Sequence, residues 1–404
     1  MDRQERDNQQ GGTPRLLRAI NTRALLEALR RAGPSSRPQL ARLAGLSKPT
    51  VSQALGDLET AGLVRLVGPA SPSVGRTAML YEVDPTAGYV VGIDIGRAWI
   101  RIAAADLSGE IVARRDERNR ERSATALVRT VSAVAHDVVA AAGLTWDQVV
   151  HTVVGGPGVF DPESDRLLHA PNLPGWSRPG LMTSLREALP PSVALDNDAN
   201  LAAVGERSYG SGRDARTFVY VSVGTGIGMG IIIDGSLYRG AHGAAGEVGY
   251  LPIGADPYDR QVRRRGAFEE SVNGAAVVRR ATEAGMGGSL SAKKVFALAA
   301  KGDPLARGVV EDEARRLALG LAVVTAVVDL ELVILGGGVG GNAELLLSPI
   351  ERELRTLSPI RPRLAVSALG EDAVLQGAVA TALAVAQSRL FDPATMLDRK
   401  ELVV

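Results

Sequence analysis

The chain is 404 residues long, 45% hydrophobic and 23% charged, an ordinary globular composition with length enough for two or three cores. It has no cysteine, which excludes disulfides, thiolate catalysis and cysteine-ligated zinc, and no apolar run approaching the roughly 18 residues of a membrane span. The net charge of +1 hides an asymmetry: between Gly11 and Leu80 ten Lys/Arg stand against three Asp/Glu, so this segment carries +7 and the remainder −6, which suggests a nucleic-acid-binding module on a mildly acidic body, the plainer alternative being a solvated basic surface.

Residues 1–14 are polar, with Gly11-Gly12 and Pro14. This predicts a disordered start without the apolar segment of a signal peptide, and hence the cytoplasm. A helix is expected from Leu16 to Arg31, with Leu17, Ile20, Ala24, Leu25 and Leu29 on one stripe, ended by Gly33-Pro34. A short helix over Pro38–Ala44 and a turn at Gly45-Leu46 follow. Ser47 caps the next helix and Pro49 sits in its first turn, where a missing N–H costs little. Val51, Leu55 and Leu58 form its buried face, which leaves Lys48, Thr50, Ser52 and Gln53 outward, short polar groups and a cation suited to base edges and phosphates. Strands at Leu63–Val67 and Ala78–Val83 bracket a polar loop, Gly68–Arg76. Helix, helix-turn-helix and hairpin make a winged helix-turn-helix over residues 15–84, with Arg76 in a wing that can enter a narrow minor groove.

Residues 88–404 read as mixed α/β. Val90–Ile95 is an apolar strand carrying Asp94; it turns at Gly96 and returns as Trp99–Asp106. The pattern recurs: Thr217–Val223, the turn Gly224-Thr225-Gly226-Ile227-Gly228, then Met229–Asp234. Two such hairpins predict a duplicated fold of two lobes, about 88–195 with a C-terminal helix at 371–388, and 196–370. Helices are expected at 124–142, 275–284, 303–328 and 373–386, and a strand at Leu332–Leu335 runs into Gly336-Gly337-Gly338.

Glycine-rich turns at strand ends can bring N–H groups together around phosphate, though each alone is more often a plain turn. Asp94-Ile95-Gly96, Gly224-Thr225-Gly226 and Gly336-Gly337 together resemble the nucleotide loops of the sugar-kinase and actin superfamily, a two-lobed RNase H-like ATPase fold. Four segments are more specific. Gly155-Gly156-Pro157-Gly158-Val159-Phe160-Asp161, Ala170-Pro171-Asn172-Leu173-Pro174-Gly175-Trp176, Asp196-Asn197-Asp198-Ala199-Asn200 and Gly246-Glu247-Val248-Gly249 resemble the ROK family, and the winged helix in front resembles its repressor branch. The resemblance implies sugar contacts from Gly156, Asn172, Asn197, Asp198, Glu247, Tyr250 and Glu269, with Asp198 at the family's catalytic-base position.

Three departures qualify it. At the first phosphate loop Arg97 and Ala98 stand where the kinases of the family have glycine and threonine, which removes the close backbone approach to phosphate, so ATP use and kinase activity are expected to be lost. The family's zinc ligands are absent: Tyr250 replaces the histidine, Ala267 the last cysteine, and the segment 256–266 with Arg260, Arg263, Arg264 and Arg265 is expected to be more mobile than a metal-tied loop. Tyr250 also changes which sugar fits. The expectation is a repressor that reads a palindromic double-stranded operator as a homodimer or higher even oligomer and binds a sugar or sugar derivative without cofactor, metal or membrane. A DNA-binding protein that keeps sugar kinase activity, and a regulator answering only to a protein partner, are the alternatives.

Overall fold

The computed structural model describes residues 14–69, 78–161, 166–168, 180–189, 192–260 and 262–391. Arg76 and Asn172, two of the expected site residues, lie outside them, as does the expected disordered start except Pro14, which opens the first helix.

The chain begins with helices Pro14–Ala32, Arg37–Ala44 and Lys48–Thr60, then strands Val64–Pro69 and Met79–Val83. A two-residue strand, Ser35–Ser36, joins the hairpin on its Met79–Val83 side and was not foreseen. The local chemistry sets the boundaries. Ser36 and Gln39 form a capping box at the second helix, and Gly45 (φ 67°) ends it in the left-handed region that glycine tolerates. Ser47 caps the third helix through the Thr50 N–H at 3.3 Å. Leu25, Leu26, Leu29, Leu40, Val51, Leu55 and Leu58 fill the core. The expected stripe of the first helix holds only in its second half: Leu17 and Ile20 are 54% and 51% exposed, because the other two helices pack against the turns from Thr22 onward.

Two five-stranded sheets follow. In the first, the spatial order is Val193–Asn197, Val149–Gly156, Tyr89–Ile95, Trp99–Asp106, Ile111–Arg118. In the second it is Arg363–Val366, Leu332–Gly336, Phe218–Val223, Ile227–Ile233, Ser236–Leu237. In each, a central strand pairs antiparallel with its hairpin partner and parallel with a later strand, so the duplication read from the two hairpins is real at the level of topology. Helix Ala124–Ala141 has the length and mean hydropathy (1.2) of a membrane span, but its apolar face, including Val131 and Val138, is buried on the first sheet.

Helix Asp198–Tyr209 lies between the sheets and crosses helix Ala373–Leu390 at backbone contact. A Cβ at Gly377 would run into the Leu201 carbonyl oxygen, and one at Gly230 into that of Ala199. The far end of the helix is fixed by Glu206, fully buried, whose carboxylate accepts from Ser367 Oγ (2.5 Å) and the N–H groups of Ser211 (2.7 Å) and Leu369 (3.1 Å).

Candidate functional site

The strand ends of both sheets face one cleft of about 260 Å³. Its floor is built at the start of helix Asp198–Tyr209, where the first sheet hands over to the second. Asn197 is the N-cap: its carbonyl oxygen accepts from the N–H of Ala199 (2.9 Å) and Asn200 (3.3 Å), and its amide donates to the Gly158 carbonyl (3.2 Å). One amide hydrogen remains for a ligand. Asp198 follows at the first helical position, half-buried and facing the cleft. Burial raises its pKa, against the pull of the backbone N–H groups at the helix start.

Glu247 and Glu269 face Asp198 across the cleft. Burial, then the charges of Asp198 and Glu269, push the Glu247 carboxyl up to about 7. Burial raises Glu269 too, while the Ile227 N–H, 3.2 Å from Oε2, holds it back. Tyr250 borders both, and burial with their charge raises its phenol. Three carboxyls that none of the cleft arginines pairs with directly, near a tyrosine and an amide, suit the paired hydroxyls of a sugar, which donate and accept. Gly156 is placed otherwise: it is buried in its strand, and its successors Pro157 and Gly158 line the cleft.

The three glycine loops part ways. At the first, Arg97 lines the cleft beside Gly96. Asp94 is buried one turn behind and pairs with Arg101 at 3.2 Å, directly opposite on the return strand. Arg101 also reaches Asp116 (3.6 Å) and Glu371 (2.5 Å). Burial still pushes Asp94 up to about 7 against the Arg101 charge. At the second, Gly224, Thr225 and Gly226 line the cleft, but a Cβ on Gly226 would stand 2.7 Å from Glu269 Oε2. That glycine makes room for a carboxylate. At the third, Gly336 and Gly337 do not line the cleft; a Cβ there would strike the Tyr220 hydroxyl or the Val223 carbonyl. Arg101 was invisible to motif reading, since its role depends on strand register.

The segment 256–266, read from sequence as a loop, is organised around Asp259, which accepts from the Val262 N–H (3.1 Å) at the start of a short helix, Val262–Arg265. That helix aims Arg264 and Arg265 into the cleft, and Arg265 pairs with Glu270 at 3.2 Å. The arginine run was the signal for this placement. The residues present do not fit a zinc ion: Tyr250 supplies no imidazole, and among the described residues no group of three His, Asp or Glu is arranged to hold a metal ion.

On the winged helix, Lys48, Ser52 and Gln53 are exposed together at the start of helix Lys48–Thr60. Thr50 is only half-exposed, and its hydroxyl is 2.8 Å from the capping Ser47 Oγ, which ties it to the helix start. Several cations of this basic segment are already paired, Arg65 with Glu82 (2.7 Å) and Arg23 with Glu27 (3.2 Å) among them. Arg42, exposed on the preceding helix, has no ion pair among the described residues and was not singled out from the sequence.

Residues 90–385 match the ROK family and residues 21–76 the MarR family. The chain is 28% identical to a xylose repressor of Caldicellulosiruptor bescii, over 91% of this chain and 96% of that protein. It is 30% identical to a glucokinase of Halalkalibacterium halodurans, over 72% of this chain and 93% of that one. Among solved structures, a ROK family transcriptional regulator homologous to the E. coli Mlc protein superposes with a TM-score of 0.75 over 95% of this chain and 99% of its own, at 23% identity.

Proposed function

The chain belongs to the ROK family, and on that premise we propose that it is a DNA-binding transcription repressor whose ROK body binds a sugar as effector and does not phosphorylate it. The observation that carries the reading is the division of the cleft. The sugar-facing carboxyls of Asp198, Glu247 and Glu269 converge, while Asp94 is bound to Arg101 and Arg97 occupies the first phosphate loop. Phosphoryl transfer needs the transferred group held in line and its charge neutralised by a metal or cation. A carboxylate already paired to Arg101 is a poor holder of a metal ion, and Glu269 fills the space that Gly226 opens. On this reading the protein uses neither zinc nor ATP as a cofactor.

Lys48, Ser52 and Gln53 read the operator, with Thr50 setting the helix start and Arg42 on phosphate; Arg76, a further expected DNA contact, lies outside the described residues. One winged helix covers too few bases for strong discrimination, so an even-numbered assembly, most simply a C2 dimer in the cytoplasm, reads a palindrome. Sedimentation that gives monomer alone, free and on DNA, contradicts this.

Helix Asp198–Tyr209 supplies a route between the sites. It starts at the cleft and ends, with Ser208 and Tyr209, at a second cleft of about 490 Å³ that Arg30 and Glu82 of the winged helix share with Leu107 and Gln387 of the body. Tyr209→Ala is expected to leave sugar affinity intact and to weaken sugar-induced release of DNA; unchanged release removes the route.

The deciding assay is ATP turnover across a panel of pentoses, hexoses and amino sugars, paired with operator binding on the same panel. Release of operator by a sugar without ATP turnover supports the sensor. A kinase reading keeps one observation in its favour, the position of Asp198 at the helix start, facing the cleft, with its pKa raised by burial. Turnover that disappears in Asp198→Ala would establish it.

A further inference from the structure

The segment 256–266 has lost the family's zinc ligands, yet the chain is tied at both of its ends. Gly266 (φ 99°) lies so close to the Gly249 carbonyl that a Cβ there would strike it, and Gly254 (φ 88°) is packed against the Ser271 hydroxyl in the same way. Arg316 Nη1 donates to the Gly254 carbonyl (3.4 Å). Arg316 belongs to a cluster centred on helix Pro304–Val328 that also holds the next element, the short helix Ala267–Val272, which carries Glu269 on the cleft floor. A helix leaves its last carbonyls without intrahelical partners. Here Arg279 Nη2 donates to that of Glu270 (2.8 Å) and Arg280 Nη1 to that of Ser271 (2.6 Å). Arg280 pairs in turn with Glu313, which is fully buried, and its Nε lies 3.2 Å from Asp312. Asp312 accepts from Arg316 Nε at 2.8 Å, which closes the cluster. Beside it the Phe268 ring reaches Gly320, where any Cβ would meet it.

A buried ion pair is a poor stabiliser, because desolvation offsets most of the attraction and an apolar pair of the same size often does as well. What it fixes is an arrangement. The contact of Phe268 with Gly320 carries no direction, whereas a guanidinium that spans a carboxylate and a backbone carbonyl does. Glu313 Oε1 is buried without a hydrogen-bond partner, a cost that weighs further against a purely stabilising role. Resting on the sensor reading above, we propose that the Arg280–Glu313 pair, with Asp312 and Arg316, takes over the structural work of the absent zinc site and positions the side of the cleft formed by Tyr250, Arg264 and Glu269. None of the four cluster side chains lines the cleft, so they are positioning residues and act through the elements they hold.

Limited trypsin digestion of the full-length protein reads the tie directly, because Arg260, Arg263, Arg264 and Arg265 offer cleavage sites inside the segment. The double variant Arg280→Met with Glu313→Leu, and the single variant Arg316→Met, should each be cut there about tenfold faster than wild type, while the double variant melts close to wild type. Leu346→Ala, buried in the same core with no part in the cluster, should melt lower and be cut in the segment within about twofold of the wild-type rate. A chelator or added zinc should change neither reading in wild type. In calorimetric titration with glucose, mannose, N-acetylglucosamine and xylose, the double variant should lose about tenfold in affinity for the sugar that wild type binds most tightly. Wild-type cleavage in both cluster variants overturns the tie, as does a segment that a chelator opens in wild type. A double variant that melts far below wild type marks the pair as a stabilising contact and overturns the proposal as well. Faster cleavage at unchanged sugar affinity overturns the positioning of the floor. A wild type that binds none of the four sugars counts against the sensor reading, and the digestion still decides the tie.

Discussion

The two sheets share one strand order and differ in what their first hairpin turn does. In the first sheet the turn carries Arg97 into the cleft, and Arg101 on the return strand clamps Asp94. In the second the turn is glycine, and its openness admits Glu269. The strands behind both turns are equally apolar and equally buried: Ile93 and Ile95 on one side, Val221 and Val223 on the other. Topology is held by those strands and by the crossing of helices Asp198–Tyr209 and Ala373–Leu390, while the chemistry is written on a few residues at the strand ends. A fold of this kind can exchange phosphate handling for ligand sensing without repacking its core.

The largest expected effect comes from breaking the clamp. Arg101→Met leaves Asp94 buried without its cation, and removing one partner of a buried pair costs about 3–5 kcal/mol. Asp94 already has its pKa raised to about 7 by burial, with Arg101 opposing. Without Arg101 the pKa rises further, and the unpaired charge is felt most where Asp94 should be ionised. Melting temperature should therefore fall steeply at pH 8 and much less at pH 6, where the carboxyl is protonated. Equal loss at both pH values would mean that Arg101 acts through Asp116 and Glu371 alone.

A smaller effect tests the second turn. Gly226→Ala places a methyl 2.7 Å from Glu269 Oε2, whereas Gly224→Ala meets nothing nearer than the Gly338 N–H nitrogen at 3.7 Å. On the proposed sensor reading, displacing Glu269 from the floor should weaken sugar binding by about 1–3 kcal/mol, the cost of an unmet buried hydroxyl, while Gly224→Ala stays close to wild type. Equal affinity in the two variants would return the glycines of this turn to plain turn formation.

Much of this contrast could be read from the sequence, and the unread part has a common cause. The hairpins, the helix-turn-helix and the duplicated lobes rest on local periodicity and turn residues, and Val51, Leu55 and Leu58 are buried where the pattern put them. Arg97 beside Gly96, which lines the cleft, was also legible as a single position. The Asp94–Arg101 clamp depends on strand register, the role of Gly226 on a residue 43 positions away in sequence, and the aim of Arg264 on a four-residue helix capped by Asp259. These are contacts between elements, and no local pattern encodes them. Leu17 and Ile20 failed for the opposite reason: the local pattern is helical, yet both side chains stay exposed among the described residues.

The gentlest test compares the two raised carboxyls, Asp94 in the first sheet and Glu247 in the lining of the cleft. Both are pushed up to about 7 mainly by burial, but Asp94 has a guanidinium against it and Glu247 has only like charges, Asp198 and Glu269, with Tyr250 alongside. For Glu247 the folded pKa exceeds the ordinary 4.5. Between roughly pH 5 and 7 the folded state holds a proton that the unfolded chain has released, so stability declines as pH rises through that window. Glu247→Gln removes the penalty: the variant should melt above wild type at pH 8, with the gap closing toward pH 5. On the proposed sensor reading it should also bind sugar more weakly, since an amide offers one acceptor oxygen where the carboxyl offers two. Asp94→Asn should gain less at pH 8, because it strips a partner from Arg101, whose remaining partners are Asp116 and the exposed Glu371. If the two variants gain equally, the clamp contributes nothing to holding Asp94, and the difference between the turns reduces to Arg97 alone.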